Sequence, residues 1–372
     1  MSKTTIEVDR AHMRAALALA RRGLGQVWPN PAVGCILVKD DRVVARGWTQ
    51  KGGRPHAETE AIDRAGDAAQ GATAYVTLEP CSHHGKTPPC ADALIAAGVA
   101  RVVVAMQDPD DRVAGEGLSK LRTANIVVDV GVCADQAHAL NRGYLKRLSD
   151  HLPLVTLKTA ITTDGRIATA DGESQWITGA EARADAHRLR ADHDAIAVAS
   201  ATALADDPVL TCRLPGMSDR SPVRILLDAH LRVPLTAKLY ASATEVPLWV
   251  FSAVPADDPQ VQERQRAGAE HVTVATDGSG HGVNLRQTFG HLADRGITRL
   301  LAEAGGMLAS ALLRDRLVDD LVLYRAPMLL GGDGIAMTGP LGVEKLSQNF
   351  PLHRTAIRAV GNDVVETFHL AD

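Results

Sequence analysis

Residues 73–98 read TAYVTLEPCSHHGKTPPCADALIAAG, and this stretch decides the fold of the first part of the chain. The β-rich run at its start predicts a strand over Thr73–Leu78. The apolar spacing further on predicts a helix over Pro89–Ala97, which a glycine ends. Cys81 follows the strand, and Cys90 lies near the start of the helix. The segment is therefore a strand, a cysteine-bearing loop and a helix in succession.

The same alternation of strands and helices continues on both sides of this stretch. The predicted elements are a helix from Asp9 to about Gly23, a hairpin of strands Val33–Lys39 and Arg42–Trp48 joined at Asp40-Asp41, a helix over Arg54–Ala65, β-rich runs over Arg101–Gln107 and Ile126–Val132, and a basic helix over roughly Ala134–Leu148. Interleaved elements of this kind are typical of a layered α/β domain.

A second alternating series begins after a boundary near Ser149–Leu152. It comprises strands at Leu154–Ala160, Asp194–Ser200, Val223–Asp228, Leu248–Ser252, His271–Ala275 and Arg299–Glu303, a helix at Ala180–Arg190, a Gly-rich loop at Ala275–Val283, and a β-rich tail at Asp320–Leu330 and Thr355–Leu370. A chain of 372 residues is too long for one ordinary domain. The pattern predicts two α/β domains, residues 1–151 and 152–372.

The composition restricts the class of protein. Hydrophobic residues make up 45% and charged residues 23%, which is typical of a globular protein, and the net charge of −4 argues against a nucleic-acid partner. The polar N-terminus lacks a signal-peptide core, and no apolar run reaches the length of a membrane span. We therefore expect a cytoplasmic protein whose five cysteines stay free or bind metal.

His56, Cys81 and Cys90 form a candidate zinc site. One imidazole and two thiolates leave the fourth tetrahedral position of Zn²⁺ open for a water, whose pKa the metal lowers to about 7. Both cysteines lie near predicted helix N-termini, which favour the thiolate. Glu58, two residues after His56, can take a proton from this water and deliver it to a leaving amine. The arrangement matches the signature of zinc deaminases, except that eight residues instead of two separate the cysteines.

Other readings of these residues remain open. His-x-Glu alone is usually the start of a surface helix, and isolated cysteines are usually buried apolar residues. His83 and His84 could compete as ligands. The remaining cysteines, at 35, 133 and 212, are interpreted as small hydrophobic residues in or beside strands.

The second half offers weaker signals. It has no Gly-x-Gly-x-x-Gly after a strand, so an ordinary Rossmann domain is not indicated. Glu303-Ala304-Gly305-Gly306 closes a predicted strand and opens a helix, where backbone N–H groups can approach an anion. Arg190 and Arg213 could clamp a phosphate bidentately, although isolated arginines are mostly solvated.

The residues of the first half resemble a known family. The run 77–91, TLEPCSHHGKTPPCA, closely resembles the riboflavin-biosynthesis deaminases, and PNPAVG at 29–34 matches another of their motifs. Their eight-residue spacer distinguishes them from cytidine and tRNA-adenosine deaminases. Over its full length the chain is similar to the bifunctional family that joins a diaminohydroxyphosphoribosylaminopyrimidine deaminase to a 5-amino-6-(5-phosphoribosylamino)uracil reductase.

The resemblance implies a cytidine-deaminase-like three-layer α/β/α domain in which zinc hydroxide attacks the pyrimidine carbon that carries the 2-amino group. It places Asn30, His83 and Lys86 on the substrate, where an amide suits a ring edge and a lysine suits a 5′-phosphate. One departure is Asp108-Pro109-Asp110-Asp111, where the family usually has Asp-Pro-Asn-Pro.

The second half resembles the family's reductase, with a dihydrofolate-reductase-like α/β fold. The matching motifs are LKTA at 157–160, DGRIA at 164–168, SQWITG at 174–179, TALADDP at 202–208 with Leu210 and Arg213, and Glu303 with Gly305-Gly306. The resemblance implies NADPH contacts at Ala160, Trp176, Thr202, Asp206, Gly305 and Gly306, and substrate contacts at Ser174, Arg190, Leu210, Arg213 and Glu303. The implied reaction is reduction of a ribosyl to a ribityl chain.

Two departures occur in this half. Ala199-Ser200-Ala201-Thr202 replaces the usual Gly-x-Gly-Thr, and the added methyl groups could crowd a backbone that approaches a dinucleotide. Thr162-Thr163 replaces the more usual Ser-Leu.

These observations leave three candidate functions for the protein. The first is the bifunctional riboflavin enzyme, with a phosphoribosyl pyrimidine as substrate, Zn²⁺ and NADPH as cofactors, and a homodimer as the expected assembly. The second is a nucleoside or tRNA deaminase with an unrelated second domain. The third is a zinc-stabilised regulatory protein with an inactive second domain.

Overall fold

The computed structural model of the protein describes residues 5–83, 88–110 and 114–371. The chain divides between Asp150 and His151 into two compact units, called unit 1 and unit 2 below. The expected boundary lies one residue further along. None of the helices in the described ranges is long and apolar enough to cross a lipid bilayer.

Unit 1 is built on one five-stranded sheet. Its strands are β1 (Gly34–Lys39), β2 (Arg42–Trp48), β3 (Thr73–Val76), β4 (Arg101–Val104) and β5 (Val127–Val130). Its helices are α1 (Thr5–Ala20), α2 (Ala57–Ala65), α3 (Cys90–Ala96), α4 (Glu116–Thr123) and α5 (Ala134–Asp150). The strand order is β2-β1-β3-β4-β5, with β1 antiparallel to both neighbours and the last three strands parallel.

Two glycines let helices approach this sheet closely. A Cβ on Gly34 of β1 would lie 2.0 Å from the carbonyl oxygen of Ala16 in α1. A Cβ on Gly47 of β2 would lie 2.1 Å from the carbonyl oxygen of Ala57 in α2. Since no larger residue fits, these glycines fix how deeply α1 and α2 sit on the sheet. The start of α2 carries candidate site residues, so this packing positions the site.

The core of unit 1 is aliphatic, as the low aromatic content suggests. Met13, Ile36, Leu37 and Leu94 are almost completely buried in one cluster that joins α1, β1 and α3. Burial of a side chain of this size stabilises the fold by roughly 1.5–3 kcal/mol. The core therefore holds together the elements that carry the candidate metal ligands.

Unit 2 is built on a nine-stranded sheet. The described residues of unit 2 form eleven strands, nine of which belong to this sheet: β6 (Leu154–Thr162), β7 (Arg166–Ala168), β8 (Ala195–Ala199), β9 (Val223–Leu227), β10 (Leu248–Ser252), β11 (Glu270–Thr273), β12 (Arg299–Glu303), β13 (Asp320–Ala326), β14 (Ile335–Ala336), β15 (Leu352–Val360) and β16 (Asp363–Leu370). Its helices are α6 (Ala180–Ala191), α7 (Ser200–Asp206), α8 (Lys238–Ala241), α9 (Pro259–Arg266), α10 (Leu285–Asp294) and α11 (Gly306–Arg314).

The large sheet has the order β11-β10-β9-β8-β12-β6-β13-β16-β15. Its first seven strands are parallel, and the last two form an antiparallel hairpin at one edge. The strands β7 and β14 pair separately in a small ribbon. Ligands of open α/β sheets bind beyond the carboxyl ends of parallel strands. A site is therefore expected where the seven parallel strands of this sheet end.

Several predicted boundaries were wrong. The helix expected from Asp9 begins at Thr5 and ends at Ala20. The helix expected over Arg54–Ala65 begins at Ala57, because Arg54 is extended ahead of a proline and His56 is the N-cap. The β-rich tail expected over Thr355–Leu370 is confirmed as a hairpin, which begins earlier, at Leu352, and turns at Gly361, where φ is +61°.

Candidate active sites

Unit 1 brings three candidate metal ligands together. The ligand atoms of His56, Cys81 and Cys90 all lie within 4.8 Å of one another, and the described residues contain no other such group of three. His56 Nδ1 lies 3.2 Å from Cys90 Sγ and 3.7 Å from Cys81 Sγ. This imidazole and two thiols fit Zn²⁺ with one position left for water or substrate.

The N-terminus of helix α3 favours the thiolate of Cys81. Cys90 is the first residue of α3, and its backbone N–H donates to Cys81 Sγ at 3.3 Å. Cys81 therefore starts no helix of its own but lies against the N-terminus of α3. Hydrogen bonding from Cys90 and His56 lowers the pKa of Cys81 to about 4. The adjacent thiolate and burial raise the pKa of Cys90, a cost that a bound divalent cation offsets.

Glu58 is placed for proton transfer beside these ligands. It lies in the first turn of α2, two residues after His56, and is 3% exposed. Burial raises the pKa of Glu58 to about 7, against the opposing effect of His56. A carboxyl group with a pKa near neutrality can both accept and donate a proton.

Asn30 is hydrogen-bonded to the segment that precedes α2. Its side-chain amide donates to the carbonyl oxygen of Gly53 at 2.9 Å. Gly53 has φ of +82°, and a Cβ there would lie 2.0 Å from Asn30 Nδ2. This contact joins the loop of Asn30 to the segment that leads into His56.

The other expected substrate residues of unit 1 are less fully described. His83 Nδ1 is buried and has no hydrogen-bond partner among the described residues, so it is available to a ligand. Lys86 lies outside the described residues, as do His84 and Asp111. Asp110 is 8% exposed, and its backbone N–H donates to Asp108.

Glu79 holds two segments near the candidate metal site together, and it was not identified from the sequence. Its carboxylate accepts three backbone hydrogen bonds, from Asp108 at 3.3 Å, Gly115 at 3.0 Å and Leu118 at 3.2 Å. These bonds tie the loop before α4 to the segment that carries Cys81. The only available signal was the position of Glu79 beside Pro80-Cys81, since its partners are 29 or more residues away.

In unit 2, Arg190 and Glu303 form a bidentate ion pair. Both Arg190 Nε and Nη2 donate to the Glu303 carboxylate at 2.8 Å, and Nη1 donates to Thr211 O at 3.0 Å. The arginine fork is thus already occupied by a carboxylate, and the idea that Arg190 clamps a phosphate bidentately is wrong for this conformation. The charge of Arg190 helps to lower the pKa of Glu303 to about 2 despite its burial.

His187 completes this cluster and was also missed. Its Nδ1 lies 3.1 Å from Thr211 O and 3.3 Å from the backbone nitrogen of Arg213. Burial and the charges of Arg190 and Arg213 lower the pKa of His187 to about 4, so its imidazole is neutral near pH 7. The structure therefore brings together the expected substrate residues 190, 213 and 303 around a neutral histidine. The neighbouring Leu210 is buried with φ of +59°.

The expected cofactor residues lie near one another and near the expected substrate residue Ser174. A Cβ on Gly305 would come within 3.5 Å of Thr202 Oγ1. Ser174 Oγ donates to Asp206 at 3.5 Å. Ala160 lies on β6, next to β12, at the carboxyl end of the parallel strands.

Trp176 and Gly306 complete the expected cofactor set. The ring of Trp176 is 64% exposed and has the Arg183 guanidinium 4.6 Å from its centroid. Gly306 is the first residue of α11.

The departures at Ala199 and Ala201 do not strain the backbone. Ala199 has φ of −85° as the N-cap of α7, and neither residue has a positive φ. Ala201 is exposed in the first turn of this helix. Alanine is therefore compatible with the chain conformation at both positions.

Comparisons with known proteins decide the family. Residues 153–366 match the RibD C-terminal domain, and residues 6–106 match the cytidine and deoxycytidylate deaminase zinc-binding region. The riboflavin biosynthesis protein RibD of Escherichia coli is 44% identical over 96% of this chain and 98% of its own length. That of Aquifex aeolicus is 38% identical over 97% and 98%. The chain belongs to the RibD family of riboflavin biosynthesis.

Solved structures of the RibD family agree with this fold. RibD of Acinetobacter baumannii has a TM-score of 0.88 and 38% identity, and covers 99% of this chain and 100% of its own. A Thermotoga maritima protein described as a diaminohydroxyphosphoribosylaminopyrimidine deaminase/5-amino-6-(5-phosphoribosylamino)uracil reductase has a TM-score of 0.86 and 30% identity, with the same coverage. Both expected fold classes, cytidine-deaminase-like and dihydrofolate-reductase-like, are confirmed.

Membership in the RibD family confirms the bifunctional deaminase and reductase of riboflavin biosynthesis, the first of the three functions, while the expected homodimer stays a prediction. The protein is an enzyme with a zinc-dependent deaminase and an NADPH-dependent reductase, and the alternatives of an unrelated or inactive second domain are wrong. It acts on a small molecule.

Proposed function

We propose that residues 1–151 deaminate 2,5-diamino-6-ribosylamino-4(3H)-pyrimidinone 5′-phosphate and that residues 152–372 reduce the ribosyl chain of the product to ribityl with NADPH. The observation that carries the first step is the convergence of His56, Cys81 and Cys90 beside the buried carboxyl group of Glu58. The Thermotoga maritima relative, whose name states these two activities, supports the choice of substrate.

In the deaminase, His56, Cys81 and Cys90 would hold zinc, which supplies a water of lowered pKa. Glu58 would accept a proton at its carboxylate and donate it to the leaving amine, and its raised pKa suits both roles. Asn30, His83 and Lys86 would hold the substrate. The buried Nδ1 of His83, which has no hydrogen-bond partner among the residues that the structure describes, supports its part in this set.

In the reductase, NADPH supplies the hydride, and the protein has to orient it. Ala160, Trp176, Thr202, Asp206, Gly305 and Gly306 would contact the cofactor. Ser174, Arg190, Leu210, Arg213 and Glu303 would contact the substrate. Because Arg190 is paired with Glu303, we propose that the pair presents its remaining N–H and carboxylate lone pairs to sugar hydroxyl groups, while the exposed Arg213 is the better phosphate ligand.

The variant Glu58→Gln tests the deaminase proposal. It keeps the shape of the side chain and removes its proton transfer, so zinc content should stay at the wild-type level while ammonia release falls by at least about 100-fold. Reduction of the deaminated pyrimidine by NADPH should be unchanged, which serves as the control for folding. Ammonia release near the wild-type rate would refute the role of Glu58.

We further propose a cytoplasmic homodimer. Strand β15 is the edge of the large sheet, and Leu352–Ala359 are all exposed, including the apolar Ile357 at 58%. A long exposed edge strand presents unpaired N–H and C=O groups with which the edge strand of a second copy can pair. The five free thiols fit a reducing compartment. Light scattering should give twice the chain mass, and Ile357→Lys should give the monomer, whereas a wild-type monomer would contradict the proposal.

A further inference from the structure

Asp164, in the DGRIA motif, makes contacts that neither substrate nor cofactor binding explains. Its Oδ2 accepts the backbone N–H of Gly331 at 2.7 Å, and its carboxylate also accepts that of Leu330 at 3.3 Å. Thr162 Oγ1 donates to Oδ1 at 2.5 Å. One exposed carboxylate thus holds two backbone groups that are more than 160 residues away in the chain.

Residues 327–339, called the strap below, are fastened to the same turn at further points. Thr163 N donates to Met328 O at 2.9 Å, and Met337 N donates to Gly165 O at 3.1 Å. Between these points, β14 of the strap pairs with β7. The turn at 162–165 therefore determines where both ends of the strap lie.

The other side of the strap lies on the first turn of α11. Gly339 N donates to Ser310 Oγ at 2.7 Å, and Ser310 Oγ donates to Gly306 O at 2.7 Å. A Cβ on Gly306 would lie 3.0 Å from Ala336 O, which is tighter than an ordinary contact. A side chain at position 306 would thus press on the strap, in addition to any effect on a ligand.

We propose that Asp164 is a positioning residue of the reductase, which holds the strap against the N-terminus of α11 and so sets the site for the phosphates of NADPH. This inference rests on the proposed function, which places the cofactor at Gly305 and Gly306. Backbone N–H groups at a helix N-terminus point at a bound phosphate, so their arrangement affects how tightly the phosphate is held. The strap contacts Gly306 and Ser310 directly, so loosening it changes that geometry without removing any group that touches the cofactor.

The test is Asp164→Asn in the full chain. The asparagine amide has only one oxygen that can accept the backbone N–H groups of Leu330 and Gly331, and its NH₂ group cannot accept them. We expect the Kd of NADPH, measured by fluorescence titration, and its KM to rise about 10-fold, which corresponds to roughly 1.4 kcal/mol. The kcat at saturating NADPH should change less than about 3-fold, and hydrogen exchange of the strap amides should become faster.

Two further variants make the outcome decisive. Ser310→Ala removes the far attachment of the strap and should raise the Kd of NADPH in the same direction, even if Asp164→Asn folds poorly. Asp171→Asn makes the same change at an exposed position beyond β7 and should leave NADPH binding at the wild-type level. If Asp164→Asn and Ser310→Ala both bind NADPH like the wild type, the strap inference is wrong while the proposed function stands. If the wild type itself fails to bind NADPH, both are wrong.

Discussion

At the scale of single residues, His193 shows how burial makes stability depend on pH. It lies just after α6 and is 2% exposed, with Nε2 at 2.9 Å from Thr156 Oγ1 and Nδ1 at 2.7 Å from Leu189 O. Burial and the charge of Arg299 lower its pKa to about 3. An unfolded histidine has a pKa of about 6.5. Between these values the unfolded chain binds a proton that the folded chain does not, so stability falls as the pH decreases through this window.

We therefore expect His193→Gln to reduce the loss of stability in acid. Between pH 7.5 and 5.0, the wild type should lose about 2 kcal/mol more unfolding free energy of unit 2 than this variant, which does not titrate at position 193. Urea unfolding at the two pH values measures the difference. His281→Gln, the same change at an exposed position, should retain the wild-type loss. Equal losses in wild type and His193→Gln would show that His193 does not carry this dependence.

Residue types and spacing were enough to predict that His56, Cys81 and Cys90 lie close together, because these residues follow a strand end or lie at predicted helix starts. Their role as metal ligands, and that of Glu58, stay predictions. Residue types and spacing were not enough to predict that Arg190 is already paired. Its partner Glu303 lies 113 residues away, and only the parallel sheet brings them together. His187 was missed for a similar reason, since on a polar helix a histidine three residues before an arginine looks like a solvated surface group.

At the scale of elements, helix packing on the first sheet depends on glycine. Gly34→Ala places a methyl carbon 2.0 Å from a backbone oxygen of α1, which cannot rotate away. We expect a loss of at least about 3 kcal/mol of unfolding free energy in unit 1. Gly290→Ala, inside α10 with no atom within 4 Å of the added carbon, should instead stabilise unit 2 by about 0.5–1 kcal/mol. Urea unfolding measures both changes. A Gly34→Ala variant with the same unfolding free energy as the wild type would contradict the packing argument.

Element types were predicted better than element ends. The hairpin of β1 and β2 was expected at Asp40-Asp41, and both aspartates have positive φ values of 49° and 56°, as a tight hairpin turn needs. The start of α2 was placed three residues too early because the effect of Pro55 was not applied: the residue before a proline favours extended backbone, so the helix starts only after the N-cap at His56.

At the scale of the whole molecule, the two chemistries are carried by separate parts of the chain. All three metal ligands and Glu58 belong to unit 1, and the Arg190–Glu303 pair, the strap and α11 belong to unit 2. Each unit has its own buried core. A change confined to the metal centre should therefore affect one activity and spare the other.

Removal of zinc makes this a measurable prediction. After dialysis against a strong chelator, ammonia release should fall to the background, because no described residue outside His56, Cys81 and Cys90 belongs to a comparable ligand cluster. Reduction of separately supplied deaminated pyrimidine, followed by NADPH absorbance, should keep most of its wild-type rate. Zn²⁺ added back should restore ammonia release in the wild type but not in Glu58→Gln, which separates metal binding from proton transfer. A parallel loss of both activities on chelation would show instead that the reductase depends on the metal centre of unit 1.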